Sequence, residues 1–143
     1  MSIKQISVFL VNKPGTLKNM TSVLAANSID MRAISLAETD EFGIARIVVD
    51  DVIRAREVLE DSDFVASINS VIPVEIPDTP GGLDKILGDF AAANINIQYM
   101  YSFVLSKADG TAGMIFRVND TASAEAKLAA RGLKILTWDE IKD

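Results

Sequence analysis

The chain contains no cysteine and no histidine among its 143 residues. Without cysteine there is no disulfide framework, no thiolate nucleophile and no thiolate-ligated metal. Without histidine the commonest general base and the commonest transition-metal ligand are missing, and a Ser-His-Asp triad cannot be assembled. Basic residues are also scarce, with 14 Lys and Arg against 20 Asp and Glu and a net charge of −6. A nucleic-acid backbone would be repelled overall, so nucleic acid is not an expected partner. Lys and Arg do not cluster along any helical stretch, which argues against a membrane-surface face. No apolar run approaches the roughly 18–20 residues that cross a bilayer. Residues Met1 to Gln5 show no apolar signal core, so a cytoplasmic protein without a membrane is expected.

What is present is the balance of a globular protein: 49% hydrophobic and 24% charged residues. The length suits one ordinary domain or two very small ones. Prolines number only four, yet two of them occupy matching places. The stretches VNKPGTLKNM (Val11 to Met20) and IPDTPGGLDKI (Ile76 to Ile86) share one pattern: an apolar run, Asn or Asp, one residue, Pro-Gly, one residue, Leu. An offset of 66 places Pro14-Gly15 on Pro80-Gly81, Ile6, Val8 and Leu10 on Ile72, Val74 and Ile76, and Leu17, Met20 and Leu24 on Leu83, Ile86 and Phe90. Ile29-Asp30-Met31 then falls on Ile95-Asn96-Ile97. Beyond the next strand the offset becomes 70, so that Gly43, Val48 and Asp50 match Gly113, Val118 and Asp120. The difference places a four-residue insertion in the turn-like stretch Ser106 to Gly110.

Each copy reads strand, helix, strand, strand, helix, strand. Alternating Ile6, Val8 and Leu10 predict the first strand, Lys4 to Val11. Helical spacing of Leu17, Met20 and Leu24, and of Leu83, Ile86, Leu87 and Phe90, predicts a helix after each Pro-Gly. Second strands are expected at Met31–Ala37 and Ile97–Leu105, and third strands at Ile44–Val49 and Met114–Val118. Asp50-Asp51 and Asp120-Thr121 suit helix N-caps before helices at Val52–Leu59 and Ala122–Arg131. Gly132 reads as the residue just past a helix end. Final strands are expected at Val65–Ile68 and Leu133–Thr137, with a short turn at Asp139–Lys142. The order is α+β: two ferredoxin-like βαββαβ units, 1–69 and 70–143, each an antiparallel sheet with both helices on one face. Pro73 and Pro77 fit a central strand poorly, because proline donates no ladder bond. Either that strand is short, or Ile68 to Ile76 is one bent strand crossing between the copies.

Turn chemistry accounts for each Pro-Gly corner taken alone. Asn12 or Asp78 can bond the backbone two residues on, proline presets its φ, and glycine takes a conformation other residues avoid; Thr16 or Asp84 could help cap the helix. The same corner also has a binding chemistry. Amides at a helix N-terminus favour a carboxylate, glycine admits a ligand close to the backbone, and an Asn or Asp beside the turn meets an ammonium. A small zwitterion fits that set better than a phosphate, since the multi-glycine, lysine-bearing phosphate loop is missing.

The corner, the repeat length and the element order together resemble the ACT domain, a regulatory module that typically binds amino acids. The matching residues are Asn12-Lys13-Pro14-Gly15-Thr16-Leu17 and Asp78-Thr79-Pro80-Gly81-Gly82-Leu83, with Asn27-Ser28-Ile29-Asp30-Met31 and Ala93-Asn94-Ile95-Asn96-Ile97. The likeness covers nearly the whole chain. It implies units paired side by side, a homodimer, and a ligand at the interface of paired units. It carries over as ligand-binding residues Asn12, Pro14, Gly15, Thr16, Leu17, Ile29 and Asp30 in the first copy. In the second they are Asp78, Pro80, Gly81, Gly82, Leu83, Asn94, Ile95 and Asn96, with the start of each second strand next to the corner. Most ACT units are joined to an enzyme, whereas here no residues remain for a catalytic domain.

The expected function is therefore a non-catalytic, allosteric sensor of a free amino acid in amino-acid metabolism, with no catalytic residue, cofactor or metal. The alternatives are a detached regulatory subunit acting on a biosynthetic enzyme partner, and a small enzyme using Asp, Glu, Lys or Tyr, for which no convergent pair is visible. A base-stacking role for Tyr99 and Tyr101 is opposed by the acidity, and packing is the expected role of these residues and of Trp138. The acids at Asp50-Asp51 and Asp61–Asp63 read as caps and solvated surface, with no metal-ligand spacing.

Overall fold

A computed structural model describes residues 3–105 and 110–142. Its elements in chain order are β1 (Ile3–Val11), α1 (Thr16–Ala26), β2 (Met31–Glu38), β3 (Phe42–Val49), α2 (Val52–Asp61), β4 (Val65–Pro77), α3 (Gly82–Ala92), β5 (Ile97–Phe103), β6 (Thr111–Val118), α4 (Thr121–Ala130) and α5 (Trp138–Ile141). The chain divides into two compact units, Lys4–Asn69 and from Ser70 onward.

In the N-terminal unit the sheet order is β2-β3-β1-β4, with β1 and β2 both antiparallel to β3. The alternation in β1 sends Ile6, Val8 and Leu10 to one face, where they meet Met20 and Leu24 of α1 and Ala55 and Leu59 of α2. Ala66 and Ile68, at the start of β4, pack on the same core. This is the βαββαβ arrangement with both helices on one face. The opposite face keeps apolar side chains in the open: Phe9, Val11 and Phe42 are about half exposed.

The C-terminal unit repeats the plan with order β4-β6-β5. Ile72, Val74 and Ile76 of β4 pack with Ile86 and Phe90 of α3 and with Ala124 and Leu128 of α4. The Phe90 and Phe116 rings lie 4.5 Å apart. On the other face Tyr101 and Phe103 are buried, and Phe103 lies over Gly113, where an added Cβ would come within 2.4 Å of its ring.

Of the two alternatives for the stretch around Pro73, the continuous one holds: Val65 to Pro77 is one strand, β4, of 13 residues, so the expected strand Val65–Ile68 does not end at Ile68. One expectation is corrected. Leu133–Thr137 is not a strand: it meets β4 through a single bridge, Val74 to Ile135. Pro73 supplies the reason at one end. The Leu136 N–H donates to the Pro73 carbonyl at 2.9 Å, and the Glu75 N–H donates to the Lys134 carbonyl at 3.0 Å. In an antiparallel ladder one residue's N–H and C=O point to the same side. The missing N–H of Pro73 would have closed the pair with Leu136, so the ladder stops there. The turn foreseen at Asp139–Lys142 is the short helix α5, in which the Thr137 N–H donates to Glu140 Oε1 at 3.0 Å.

The repeat also needs correcting. Ile6 pairs with Ile47, and Ile72 with Phe116, so Ala45, Ile47 and Val49 correspond to Met114, Phe116 and Val118. That is an offset of 69, three residues beyond 66. The N-caps agree: the Asp51 side chain accepts from Arg54 N–H and Asp120 from Ser123 N–H, each at 3.1 Å. Asp51, not Asp50, is the counterpart of Asp120. The insertion expected within Ser106 to Gly110 is therefore three residues, not four, and 106–109 lie outside the described residues.

Candidate functional site

In the first corner β1 ends at Val11, and α1 begins after Gly15. Gly15 is the N-cap residue with φ +88°, a left-handed conformation that glycine takes without penalty. No side chain caps α1, so the expected capping role of Thr16 is not realised. Asn12 does not fold back onto its own turn either. Its Nδ2 donates to Glu38 Oε2 at 3.1 Å, and its backbone N–H donates to the Glu41 carbonyl at 3.0 Å. These bonds tie the corner to the end of β2 and the start of β3. The Thr16 N–H is turned to the Lys13 carbonyl at 3.4 Å, and the first helical bond is Asn19 N–H to Gly15 carbonyl at 2.9 Å. Leu17 and Lys18 carry first-turn amides, which lack the full helical pairing of interior residues.

Above this corner lies an open pocket of about 300 Å³, at the small end of ligand sites. Its walls combine two chemistries. Leu10, Leu17, Leu36 and Gly43 are the apolar side, and Asn12, Lys13, Thr16 and Glu38 the polar side. The strand register explains the grouping. Leu10 pairs with Gly43, and Gly43 with Glu38, in one row across β1, β3 and β2; Leu36 lies in the neighbouring row with Ala45 and Val8. All point to the helix side of the sheet, just past the start of α1. Leu36 stays 53% exposed there, and Gly43 leaves room because an added Cβ would come 3.4 Å from Leu36 Cδ1. The Thr16 hydroxyl is buried and has no hydrogen-bond partner among the described residues, a costly state for a polar group.

The second corner has the same backbone and a different interior. Gly81 is the N-cap with φ +83°, again without a side-chain cap, so Asp84 does not cap α3. Gly82 replaces Thr16, and the strand closes onto it: a Cβ there would stand 2.1 Å from the Pro77 carbonyl oxygen. By the corrected correspondence, Glu38 becomes Val104 and Gly43 becomes Ala112. Val104 is 87% exposed. A cavity of about 260 Å³ reaches Ile76, Pro77, Lys85 and Ile86 next to this corner, but Asp78, Pro80, Gly81, Gly82 and Leu83 do not line it.

Of the residues expected at the first site, Asn12, Thr16 and Leu17 line the pocket, and Pro14 and Gly15 shape the turn beside it. Ile29 is a core residue, 7% exposed. Asp30 is at the far end of the sheet. Its N–H donates to Asp50 Oδ1 at 3.2 Å, and its carboxylate pairs with Arg32 at 3.4 Å. The residues of β2, at about 3.3 Å each, put roughly 25 Å between Asp30 and the corner. Asn94, Ile95 and Asn96 are likewise remote from Asp78. They line a cavity of about 200 Å³ with Asn119, Asp120 and Lys127, and Asn94 takes φ +58° to end α3. Leu36, Glu38 and Gly43 were not foreseen. Alternation puts Leu36 and Glu38 on one face, but only the β2–β3 register brings them to the corner.

The profile of the family described as ACT domain pair matches residues 1–142. The chain belongs to this family. Among solved structures, the protein BT0572 from Bacteroides thetaiotaomicron is 34% identical, with a TM-score of 0.90 over 99% of this chain and 96% of that one. The regulatory subunit of aspartate kinase from Thermus thermophilus, in its ligand-free form, is 19% identical with a TM-score of 0.67, covering 90% of each chain. That from Thermus flavus is 20% identical with a TM-score of 0.66, covering 89% of this chain and 88% of that one. A search of curated protein sequences finds no match. Among the described residues no helix is long and apolar enough to cross a membrane, and no group of Asp and Glu could hold a metal ion.

Proposed function

We propose that this ACT domain pair is a non-catalytic regulatory module that binds one free amino acid per chain, at the N-terminal corner. The observation that carries this reading is the difference between two corners of the same backbone. The first keeps a pocket with a carboxylate, an ammonium, an unpartnered hydroxyl and an apolar wall. The second is closed by Pro77 against Gly82. In the first, Lys13 and the first-turn amides of α1 offer a carboxylate partner, and Glu38 with Asn12 offers an ammonium partner. Regulation then follows from differential affinity: a ligand that prefers one arrangement of an assembly shifts the population toward it. The exposed apolar side chains Phe9, Val11 and Phe42 suit a second copy of the chain.

The test is a thermal-shift screen of the full chain against the twenty amino acids, followed by titration calorimetry of any hit. A ligand that binds only the folded state must raise its stability, and one site per chain is expected. Gly15→Val should abolish the shift and Gly81→Val should leave it. No shift with any amino acid at millimolar concentration would overturn the reading.

A second reading has the chain acting as a regulatory subunit on a catalytic partner, as the Thermus subunits of this fold do for aspartate kinase. Purification with an enzyme from the source cell, and ligand binding only in that complex, would favour it.

A further inference from the structure

We infer that the N-terminal pocket selects amino acids with an apolar, uncharged side chain, and that Glu38 is the ammonium anchor that sets this class. The inference rests on reading the corner as an amino-acid site and adds the identity of the side chain.

The charged groups lining the pocket are Lys13 and Glu38. A zwitterionic head uses both, one for each of its charges. Glu38 has capacity for this: a carboxylate offers about four lone-pair sites, and Asn12 Nδ2 takes one on Oε2 at 3.1 Å. That same bond fixes the carboxylate over the corner. What remains for the side chain of the ligand is Leu10, Leu17, Leu36 and the bare backbone of Gly43. Leu36 is 53% exposed, although it shares a row with the buried Val8 and Ala45; covering it is favourable for an apolar group. A charged side chain would meet this wall with no partner, which costs far more than burying methylenes. Gly43 sets the depth. A methyl placed there would come 3.4 Å from Leu36 Cδ1 and 3.6 Å from the Ala37 carbonyl oxygen, so Gly43→Ala makes the floor shallower.

The C-terminal unit shows what loss of these groups entails. Val104 replaces the acid and Ala112 the glycine, and Gly82 lies against Pro77. The ammonium anchor, the floor and the hydroxyl are lost together, while the turn-forming Pro80 and Gly81 remain.

The experiment is titration of the full chain with leucine, alanine, 4-methylpentanoate (the des-amino analogue of leucine), lysine and aspartate. The same titrations are run on Glu38→Gln and Gly43→Ala, each checked for fold by circular dichroism. Leucine is expected to bind at least about tenfold more tightly than lysine, aspartate or 4-methylpentanoate, the range that a few specific contacts supply. In Glu38→Gln the preference for leucine over 4-methylpentanoate should fall to within about threefold, because the charge-assisted bond to the ammonium is gone. Gly43→Ala should weaken leucine more than alanine. Tighter binding of lysine or aspartate, or an undiminished leucine preference in Glu38→Gln, overturns the inference and leaves the corner as an amino-acid site. No binding of any amino acid overturns both.

Discussion

Replacing Gly82 by alanine should cost about 2 kcal/mol net, whereas the same replacement at Gly88 in the same helix should stabilise. At Gly82 the new Cβ would lie 2.1 Å from the Pro77 carbonyl oxygen, 3.0 Å from its carbon and 3.3 Å from its Cβ. Ordinary contact demands a shift of about 1 Å, and overpacking of this kind costs roughly 1–3 kcal/mol. The carbonyl is not free to swing away. It shares a peptide plane with the Asp78 N–H, which donates to the Gly110 carbonyl at 2.9 Å, and turning that plane forfeits a further bond worth about 0.5–1.5 kcal/mol. Against this stands the helix preference of alanine, at most about 1 kcal/mol. Gly88 lies in the interior of α3, exposed, with nothing within 4 Å of an added Cβ. There only the propensity gain remains, about 0.5–1 kcal/mol. Urea unfolding of both variants gives the comparison, and the two midpoints should move in opposite directions with m unchanged. A Gly82→Ala protein as stable as the parent would refute the claim that the second corner is closed by its own strand.

Thr16→Val should raise the stability of the ligand-free protein, because it removes a buried hydroxyl that has no partner among the described residues; such a group costs about 1–3 kcal/mol. A lower melting temperature would show that the hydroxyl is bonded after all. The C-terminal segment should carry a pH signature. Glu140 is held below its ordinary value first by the hydrogen bond from Lys134 and then by the Thr137 N–H, and Lys134 is raised by the same pairing. A depressed acid contributes stability above its unfolded pKa of 4.5 and loses it as pH falls. A raised lysine contributes below 10.5 and loses it as pH rises. The gap in urea midpoint between the parent and Glu140→Gln should therefore be present near about pH 7 and close toward about pH 3; a gap constant with pH would count against the pair.

Much of each unit can be read from the chain because its signals are local. Ile6, Val8 and Leu10 alternate, Met20 and Leu24 follow a helical period, and Asp51 and Asp120 stand where a helix needs an acceptor. The misreadings come from facts that belong to pairs of strands. Matching Asp50 to Asp120 looks natural in sequence, and only the pairing of Ile47 with Ile6 and Phe116 with Ile72 shows the match to be one residue off. Pro73 signals trouble in the sequence, but the ladder it truncates is made with Leu136, more than sixty residues away. The site shows the same division. Asn12, Thr16 and Leu17 follow from the motif. Glu38 and Gly43 come from β2 and β3 and reach the corner through register alone. Asp30 fails for a simple reason: α1 carries the chain back to the other end of the sheet before β2 starts.

The comparison of the two copies separates turn-making from binding. Pro14 and Pro80, Gly15 and Gly81, and Leu17 and Leu83 are the same in both, and their work is local: a fixed φ, a left-handed cap at +88° or +83°, and a first core contact. Had the motif been only a turn, the residues around it would have been free to differ without pattern. Instead the differences coincide. Lys13 becomes Thr79, Thr16 becomes glycine, Glu38 becomes Val104 and Gly43 becomes Ala112, and all four of these altered positions line the first pocket. With the side chain of Thr16 gone, Pro77 moves against the helix start, within 2.1 Å of where a Cβ would sit. The space that the Thr16 side chain occupies in one copy is therefore filled by the Pro77 backbone in the other. An identical pair of turns can thus serve one fold twice while presenting this kind of pocket at the first corner and not the second, and the identity of the motif residues alone could not distinguish the two.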